Sequence, residues 1–157
     1  PFHIVYRKHE SDAYEALLTK KRSRYAISNV DRNDIRAMVR VLKKGDILWY
    51  APDQDFAKRS TVMAPFFGIQ TATLTGTAWL AKVGKAKVVA TFLNRTTSGG
   101  YAMHFLPAFD NFPSGDDIAD ATRYNAALEA HIKQYPDQYL WLHRRFKTRP
   151  EGEASFY

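Results

Sequence analysis

Ile47-Leu48-Trp49-Tyr50-Ala51-Pro52-Asp53-Gln54-Asp55 decides how the rest of the chain is read. Its first five residues are apolar on both faces of an extended strand. Strands of that kind belong to α/β sheets covered by helices. Pro52 stops the strand, and Asp53, Gln54 and Asp55 occupy the loop at its carboxyl end, where open α/β sheets place their ligands. Two carboxylates there suit a cation, a base to be oriented, or a sugar hydroxyl. Equally, Asp residues in loops satisfy turn amides. Arg59 follows closely enough to neutralise the pair.

On the amino-terminal side, Ile35, Met38, Val39 and Leu42 recur at i, i+3, i+4 and i+7, one apolar face of a helix. Asp31 is expected to cap its start, and Gly45 to supply the left-handed residue that ends it. Residues 3–7 read as a short strand, and 10–25 as a helix carried by Tyr14, Leu17 and Leu18. On the carboxyl side, Pro65-Phe66-Phe67-Gly68 reads as a tight segment. Thr71, Thr73, Thr75 and Thr77 alternate like a strand while Trp79, Leu80 and Val83 extend like a helix; helix is the preferred reading of 70–83. Residues 88–93 form a second doubly apolar strand, expected beside 47–51 in one sheet. Tyr101–Leu106 is its partner across Ser98-Gly99-Gly100. A helix over about 116–135 places Ile118, Ala121, Leu128, Ile132 and Tyr135 on one face, and Pro136 stops it. This order predicts an α/β layer fold, a mixed sheet covered by helices, in a single domain over residues 1–157.

Composition narrows the chemistry. Hydrophobic residues make up 45% and charged residues 25% of the 157, which excludes disorder and collagen-like order. With no cysteine there is no disulfide, no thiolate nucleophile and no Cys-ligated zinc. No apolar run reaches the ~18 residues of a membrane-spanning helix. The chain opens at Pro1 rather than Met, so it is expected to be part of something longer. Its net charge of +7 is local: Lys20, Lys21, Arg22 and Arg24 form one cluster, and Arg144, Arg145, Lys147 and Arg149 another. Such clusters attract phosphate in nucleic acid, an anionic membrane surface or a phosphorylated small molecule, or are simply solvated helix faces.

Sequence signatures of catalysis are sparse. Histidines stand at 3, 9, 104, 131 and 143, none in a metal-ligand spacing, and His104 in an aromatic strand suits a core. There is no Gly-x-Ser-x-Gly elbow, phosphate loop or GxGxxG. No metal or cofactor is expected. Residues 138–149, Gln-Tyr-Leu-Trp-Leu-His-Arg-Arg-Phe-Lys-Thr-Arg, interleave rings with fixed cations, a mixture that suits base stacking and a membrane interface alike. Structurally, Trp141 can instead pack a core and Arg145 pair with a carboxylate.

Residues 136–148, Pro-Asp-Gln-Tyr-Leu-Trp-Leu-His-Arg-Arg-Phe-Lys-Thr, resemble the terminal signature of the bacterial lipid A biosynthesis acyltransferases, the late lauroyl/myristoyl transferases. Tyr50–Asp55 with Pro65–Gly68 resembles their central loop. Arg22-x-Arg24, Asp31-Arg32-x-Asp34 and Leu42-Lys43-x-Gly45 resemble the segment before it, and Asn125 and Ile132 fall where the family's last helix has them. The resemblance implies part of a glycerolipid-acyltransferase-like fold, corresponding to the carboxyl-terminal half. It implies transfer of a fatty acyl chain from acyl carrier protein to a phosphorylated glycolipid bearing a Kdo sugar, without a metal, at the cytoplasmic face of the inner membrane.

The family's chemistry uses a His followed five residues later by Asp or Glu, where His takes the acceptor's proton and the carboxylate orients it. Five residues after the histidines here stand Lys8, Tyr14, Phe109, Pro136 and Thr148, so the dyad is expected upstream and this chain alone is expected to be inactive. Carried over, Arg22 and Arg24 contact the phosphorylated acceptor, and Asp53, Gln54, Asp55 and Arg59 line its pocket. Trp141, Arg144, Arg145 and Lys147 meet headgroup phosphates or the acidic carrier. The alternative, a basic nucleic-acid-binding module built on the two clusters and Trp141, has no reader motif behind it.

Overall fold

A computed structural model describes residues 2–56 and 60–157. The elements run β1 (Phe2–Tyr6), α1 (Asp12–Arg22), β2 (Ala26–Asp31), α2 (Ile35–Lys43), β3 (Ile47–Trp49), β4 (Thr61–Phe66), β5 (Ile69–Leu74), α3 (Gly76–Gly84), β6 (Thr91–Arg95), β7 (Tyr101–Phe105) and α4 (Asp117–Gln134). Two single-turn 3₁₀ segments follow, Pro136–Gln138 and Trp141–His143. The α/β class stands. The chain divides into two compact units, residues 1–51 with 82–86 and residues 52–81 with 87–157.

The first unit carries a three-stranded parallel sheet in the order β2-β1-β3. Val5, Ala26, Val30, Met38 and Val41 form its core. Helix α2 forms where the period places it, but its buried residues are Met38 and Val41, whereas Ile35, on the expected apolar face, is 43% exposed. Its cap is Asp34, whose carboxylate accepts from the Ala37 amide at 2.9 Å, and not Asp31. Asp31 instead closes β2 and accepts from the Asn33 amide. Gly45 sits at φ 82°, the left-handed position expected of it.

Three further expectations change in this unit. Residues 47–51 were expected in a sheet interior, yet β3 is a three-residue edge strand, with Ile47 66% exposed. Apolar content on both faces does not specify a second neighbour, and among the described residues β3 pairs only with β1. Strand β2 has no counterpart in the sequence reading, because Ser28-Asn29 interrupts its apolar pattern. In α1, Tyr14 and Leu17 face outward, while Glu15 turns inward and accepts from the His9 amide and the Thr19 hydroxyl. The His9 amide is the main force holding the Glu15 carboxyl below its ordinary pKa.

The second unit is built on two antiparallel hairpins and α4. Hairpin β4–β5 turns through Phe67 and Gly68 at φ 50° and 75°, the two positive values that a tight primed turn demands. The Phe67 amide is held by Glu129 Oε1 at 2.8 Å. The helix expected over 70–83 is therefore strand to Leu74 and helix from Gly76. Thr71 and Thr73 decide the matter: each is fully buried and donates its hydroxyl to the carbonyl two residues back, a strand pattern suited to β-branched side chains. The pairing of β6 with β7 matches the expected hairpin, but it forms its own sheet, with no pairing to β3. Helix α4 is capped by Asp116, which accepts from the Ile118 and Ala119 amides. Its buried stripe runs Asp120, Ala121, Asn125, Ile132, whereas Ile118 is exposed. The helix is thus turned to bring polar groups inward. The next subsection shows why.

Gly84, the last residue of α3, lies against Leu42 of α2, both within the first unit. A Cβ built there would lie 2.6 Å from Leu42 Cβ, an atom fixed to the α2 backbone. Gly84→Ala should therefore force a backbone shift and lower unfolding free energy by about 1–3 kcal/mol, as overpacked sites do. Urea denaturation followed by circular dichroism measures this; an unchanged midpoint would show that α2 yields freely.

Candidate functional site

The second unit has a polar centre where a smaller domain would place leucines. Thr73 Oγ1 donates to Thr71 O at 2.9 Å and accepts from Asn125 Nδ2 at 3.1 Å and Arg145 Nη2 at 3.0 Å. Asn125 Nδ2 also donates to Pro65 O at 3.0 Å, and Arg145 Nη1 to Ala72 O at 2.7 Å. One hydroxyl thus joins hairpin β4–β5, α4 and the carboxyl-terminal segment. Arg145 is only 2% exposed, and its guanidinium lies 5.4 Å from the Phe66 ring centre. Phe66 in turn touches the rings of Phe146 and Tyr139.

A buried cation normally takes a carboxylate partner. Among the described residues, Arg145 has none within ion-pair distance, so the carboxylate expected for it is replaced by a carbonyl, a hydroxyl and an aromatic face. Arg145 is therefore an internal tie, set apart from Trp141, Arg144 and Lys147, which are exposed. The physical reason is the left-handed Arg144, φ 49°, which turns the chain so that successive arginines point in opposite directions.

The central loop is fastened to the same segment. Asp55 is buried and accepts from the Thr148 amide at 2.8 Å and the Thr148 hydroxyl at 2.9 Å. Gln54 Nε2 lies 3.3 Å from His143 Nε2. Gln138 works like a short strand: its side chain accepts from the Arg95 amide at 2.7 Å and donates to the Arg95 carbonyl at 3.2 Å. Trp141 donates to Pro136 O at 2.9 Å, and its ring meets Phe67 and Tyr139. Arg149 donates to Gln70 O and pairs with Glu153. Half-buried Asp53 adds its charge to the burial that pushes the Tyr139 phenol up to about 12. Tyr139 therefore stays a neutral hydroxyl at physiological pH.

The structure brings Gln54 to His143 and sets Asp53 near enough to Tyr139 for its charge to act on the phenol. A carboxylate, an amide, an imidazole and a neutral phenol suit the binding of hydroxyl groups. Asp55 belongs to the frame beneath them. Arg59 lies outside the described residues. Arg22 and Arg24 belong to the first unit: Arg22 lies 5.4 Å over the Tyr6 ring, while Arg24 is exposed. Lys20, Lys21 and Arg22 complete the last turn of α1, where cations complement the helix dipole.

His131, His104 and His3 lie against neighbouring side chains. His131 stacks on Phe92 at 4.1 Å beside His104 and Tyr135, and burial, with the neighbouring His104, holds its pKa below the ordinary value. His3 Nδ1 lies 2.7 Å from Ser28 Oγ. No group of three or more metal-ligating side chains is found among the described residues. Sequence reasoning missed Thr73, Glu129 and the inward role of Asn125. The alternation of Thr71 and Thr73 was the one available signal.

The profile of the bacterial lipid A biosynthesis acyltransferases matches residues 1–148. Lipid A biosynthesis lauroyltransferase of Escherichia coli (strain K12) is 43% identical over 155 residues, covering 98% of this chain and 51% of that protein. Lipid A biosynthesis palmitoleoyltransferase of the same organism is 38% identical over 159 residues, covering 100% of this chain and 52% of the relative. A lipid A biosynthesis acyltransferase of Haemophilus influenzae is 35% identical over 153 residues, with 96% of this chain and 49% of the relative covered. The chain thus spans about half the length of the curated relatives it matches.

Arg145→Lys should cost about 1.5–3 kcal/mol, because one ammonium cannot span Ala72 O and Thr73 Oγ1 as a guanidinium fork does. Thr73→Val should cost about 1–3 kcal/mol by leaving two buried donors short of an acceptor. Lys147→Gln, at an exposed position, should stay within about 0.5 kcal/mol. Denaturant titration of the three variants checks the order; equal losses for Arg145→Lys and Lys147→Gln would remove Arg145 from the core role.

Proposed function

The chain belongs to the bacterial lipid A biosynthesis acyltransferase family, and on that premise we propose that it serves in moving a fatty acyl chain from acyl carrier protein to a phosphorylated, Kdo-bearing lipid A precursor. The observation that carries the proposal is the family match over residues 1–148, taken with relatives named for lauroyl and palmitoleoyl transfer. The site is proposed to work at the cytoplasmic face of the inner membrane.

In this reading Asp53 and Gln54 hold sugar hydroxyls of the acceptor, and Tyr139 is a neutral donor beside them. Arg24 and Arg22 contact acceptor phosphate. Arg59, four residues after Asp55 in sequence, is assigned to the same acceptor. Trp141, Arg144 and Lys147 meet headgroup phosphates or the acidic carrier, while Asp55 and Arg145 keep the loop and the terminal segment in register. The proton-accepting histidine is assigned outside residues 1–157. His104 and His131 lie among aromatic rings, and none of the five histidines has an acid five residues on. The nucleic-acid reading draws no support from any of the relatives.

The test uses the purified chain with acyl carrier protein loaded with laurate and the Kdo-bearing precursor dispersed in detergent. The chain should bind the precursor and leave both substrates unreacted. Arg24→Lys should weaken binding and Arg24→Ala should weaken it further, by about ten- to a hundred-fold for a lost charged hydrogen bond. Acyl transfer by residues 1–157 would overturn the placement of the base. Equal affinity of Arg24→Ala and the unchanged chain would remove the phosphate contact.

A further inference from the structure

Hairpin β6–β7 has two faces of opposite character. Phe92, Asn94, Ala102 and His104 turn inward, and Phe92 stacks on His131 of α4. The antiparallel register sets Leu93 opposite Met103, Thr91 opposite Phe105 and Arg95 opposite Tyr101 on the other face. Leu93 and Met103 are each 57% exposed, Phe105 66% and Tyr101 69%. The alternation continues upstream of β6: Val89 and Lys87 are also exposed, and the Phe109 amide pairs with Val88 O at 3.0 Å.

Along this outward face the order is therefore cation, apolar band, cation. Lys87 marks one end and Arg95 the other, with Tyr101 beside Arg95 and no acidic residue among the set. At about 3.4 Å per residue the cations stand roughly 25 Å apart. At the Arg95 end a cleft of about 350 Å³ opens, lined by Leu93, Arg95, Tyr101, Tyr139 and Leu140, with Asp137 also at its wall.

We propose that the outward face of hairpin β6–β7 is a docking surface for an anionic lipid bilayer, its apolar side chains entering the headgroup–acyl boundary while Lys87 and Arg95 meet lipid phosphates. The charge pattern selects this occupant. Cations at both ends with apolar and aromatic residues between them match the interfacial zone, where the acyl boundary is apolar and the headgroups are negative. A second copy of the same face would set Lys87 and Arg95 against Arg95 and Lys87, or each against itself. Both arrangements oppose like charges. The hairpin lies on the bilayer and does not cross it, because a two-stranded sheet leaves edge amides unpaired in hydrocarbon.

The inference is compatible with the lipid acceptor proposed above but does not require it: vesicles contain no lipid A precursor, and precursor binding is measured in detergent without a bilayer. The two therefore fail separately. Flotation of the purified chain with vesicles of phosphatidylcholine, with and without phosphatidylglycerol, reads the proposal directly. The chain should float with the anionic vesicles and less with neutral ones. Leu93→Ser, Met103→Ser and Phe105→Ser together should reduce bound protein about tenfold or more, since interfacial binding scales with inserted apolar area. Lys87→Gln with Arg95→Gln should lower the dependence on anionic lipid more than Lys20→Gln with Lys21→Gln, a control pair on the first unit, and leave the circular dichroism melt in place. A melt on the triple variant verifies its fold, and the double variant supplies a second readout if that fold is lost. Flotation of the folded triple variant equal to that of the unchanged chain would overturn the proposal. So would a dimer, seen by sedimentation, that the same substitutions dissociate.

Discussion

The Thr73 hydroxyl is the constraint on which the second unit depends. It accepts from a helix side chain and a buried arginine while donating to its own strand. A valine would fill the same space, but it would leave Asn125 and Arg145 with an unmet donor each in a place where water does not reach. Apolar packing holds elements together with little preference for one register over another. A hydroxyl with three fixed partners accepts a single arrangement of hairpin, helix and terminal segment. The helix α4 is rotated to serve that arrangement, and for that reason Asn125 faces inward while Ile118 faces water.

The same constraint connects the frame to the surface above it. Arg145 is anchored, so Arg144 and Lys147 are presented outward on either side of it. Thr148 is carried to Asp55, and the Asp53–Gln54 loop is held against His143 and Tyr139. The motifs that most strongly mark the family membership are thus largely ties between segments far apart in sequence, with contacts 43 to 93 positions apart. The candidate binding groups Asp53 and Gln54 adjoin one of those ties, the bond from Thr148 to Asp55.

Much of the fold was legible because local patterns suffice for it. Helix α2, its glycine stop, the β6–β7 pairing and the end of α4 at Pro136 follow from period, turn chemistry and proline geometry. The misreadings at 47–49 and 70–74 share a cause, which is that neighbours distant in sequence outweighed local pattern. Residues 70–74 sit beside a helix-forming run, yet Thr71 and Thr73 have β4 as neighbour and a buried hydroxyl network to complete. The run at 47–49 is as apolar as an interior strand and lies at an edge, since composition does not specify what stands alongside. Of the candidate site, the Asp53–Asp55 loop and the aromatic–cation segment could be found from sequence. The division of labour within them could not: Asp55 differs from Asp53, and Arg145 from Arg144, only through contacts made across the fold.

The central claim is that the terminal segment is an integral part of the second unit, locked to it by polar ties and not draped over it. Native-state hydrogen exchange at the Thr148 amide tests this most directly, since that amide donates to buried Asp55. The account predicts that Thr148 exchanges only through the opening that also releases the Ala72 and Thr73 amides of β5, with the same free energy and the same denaturant dependence. Exchange of Thr148 at the rate of the exposed residues 151–157, while β5 remains protected, would contradict it.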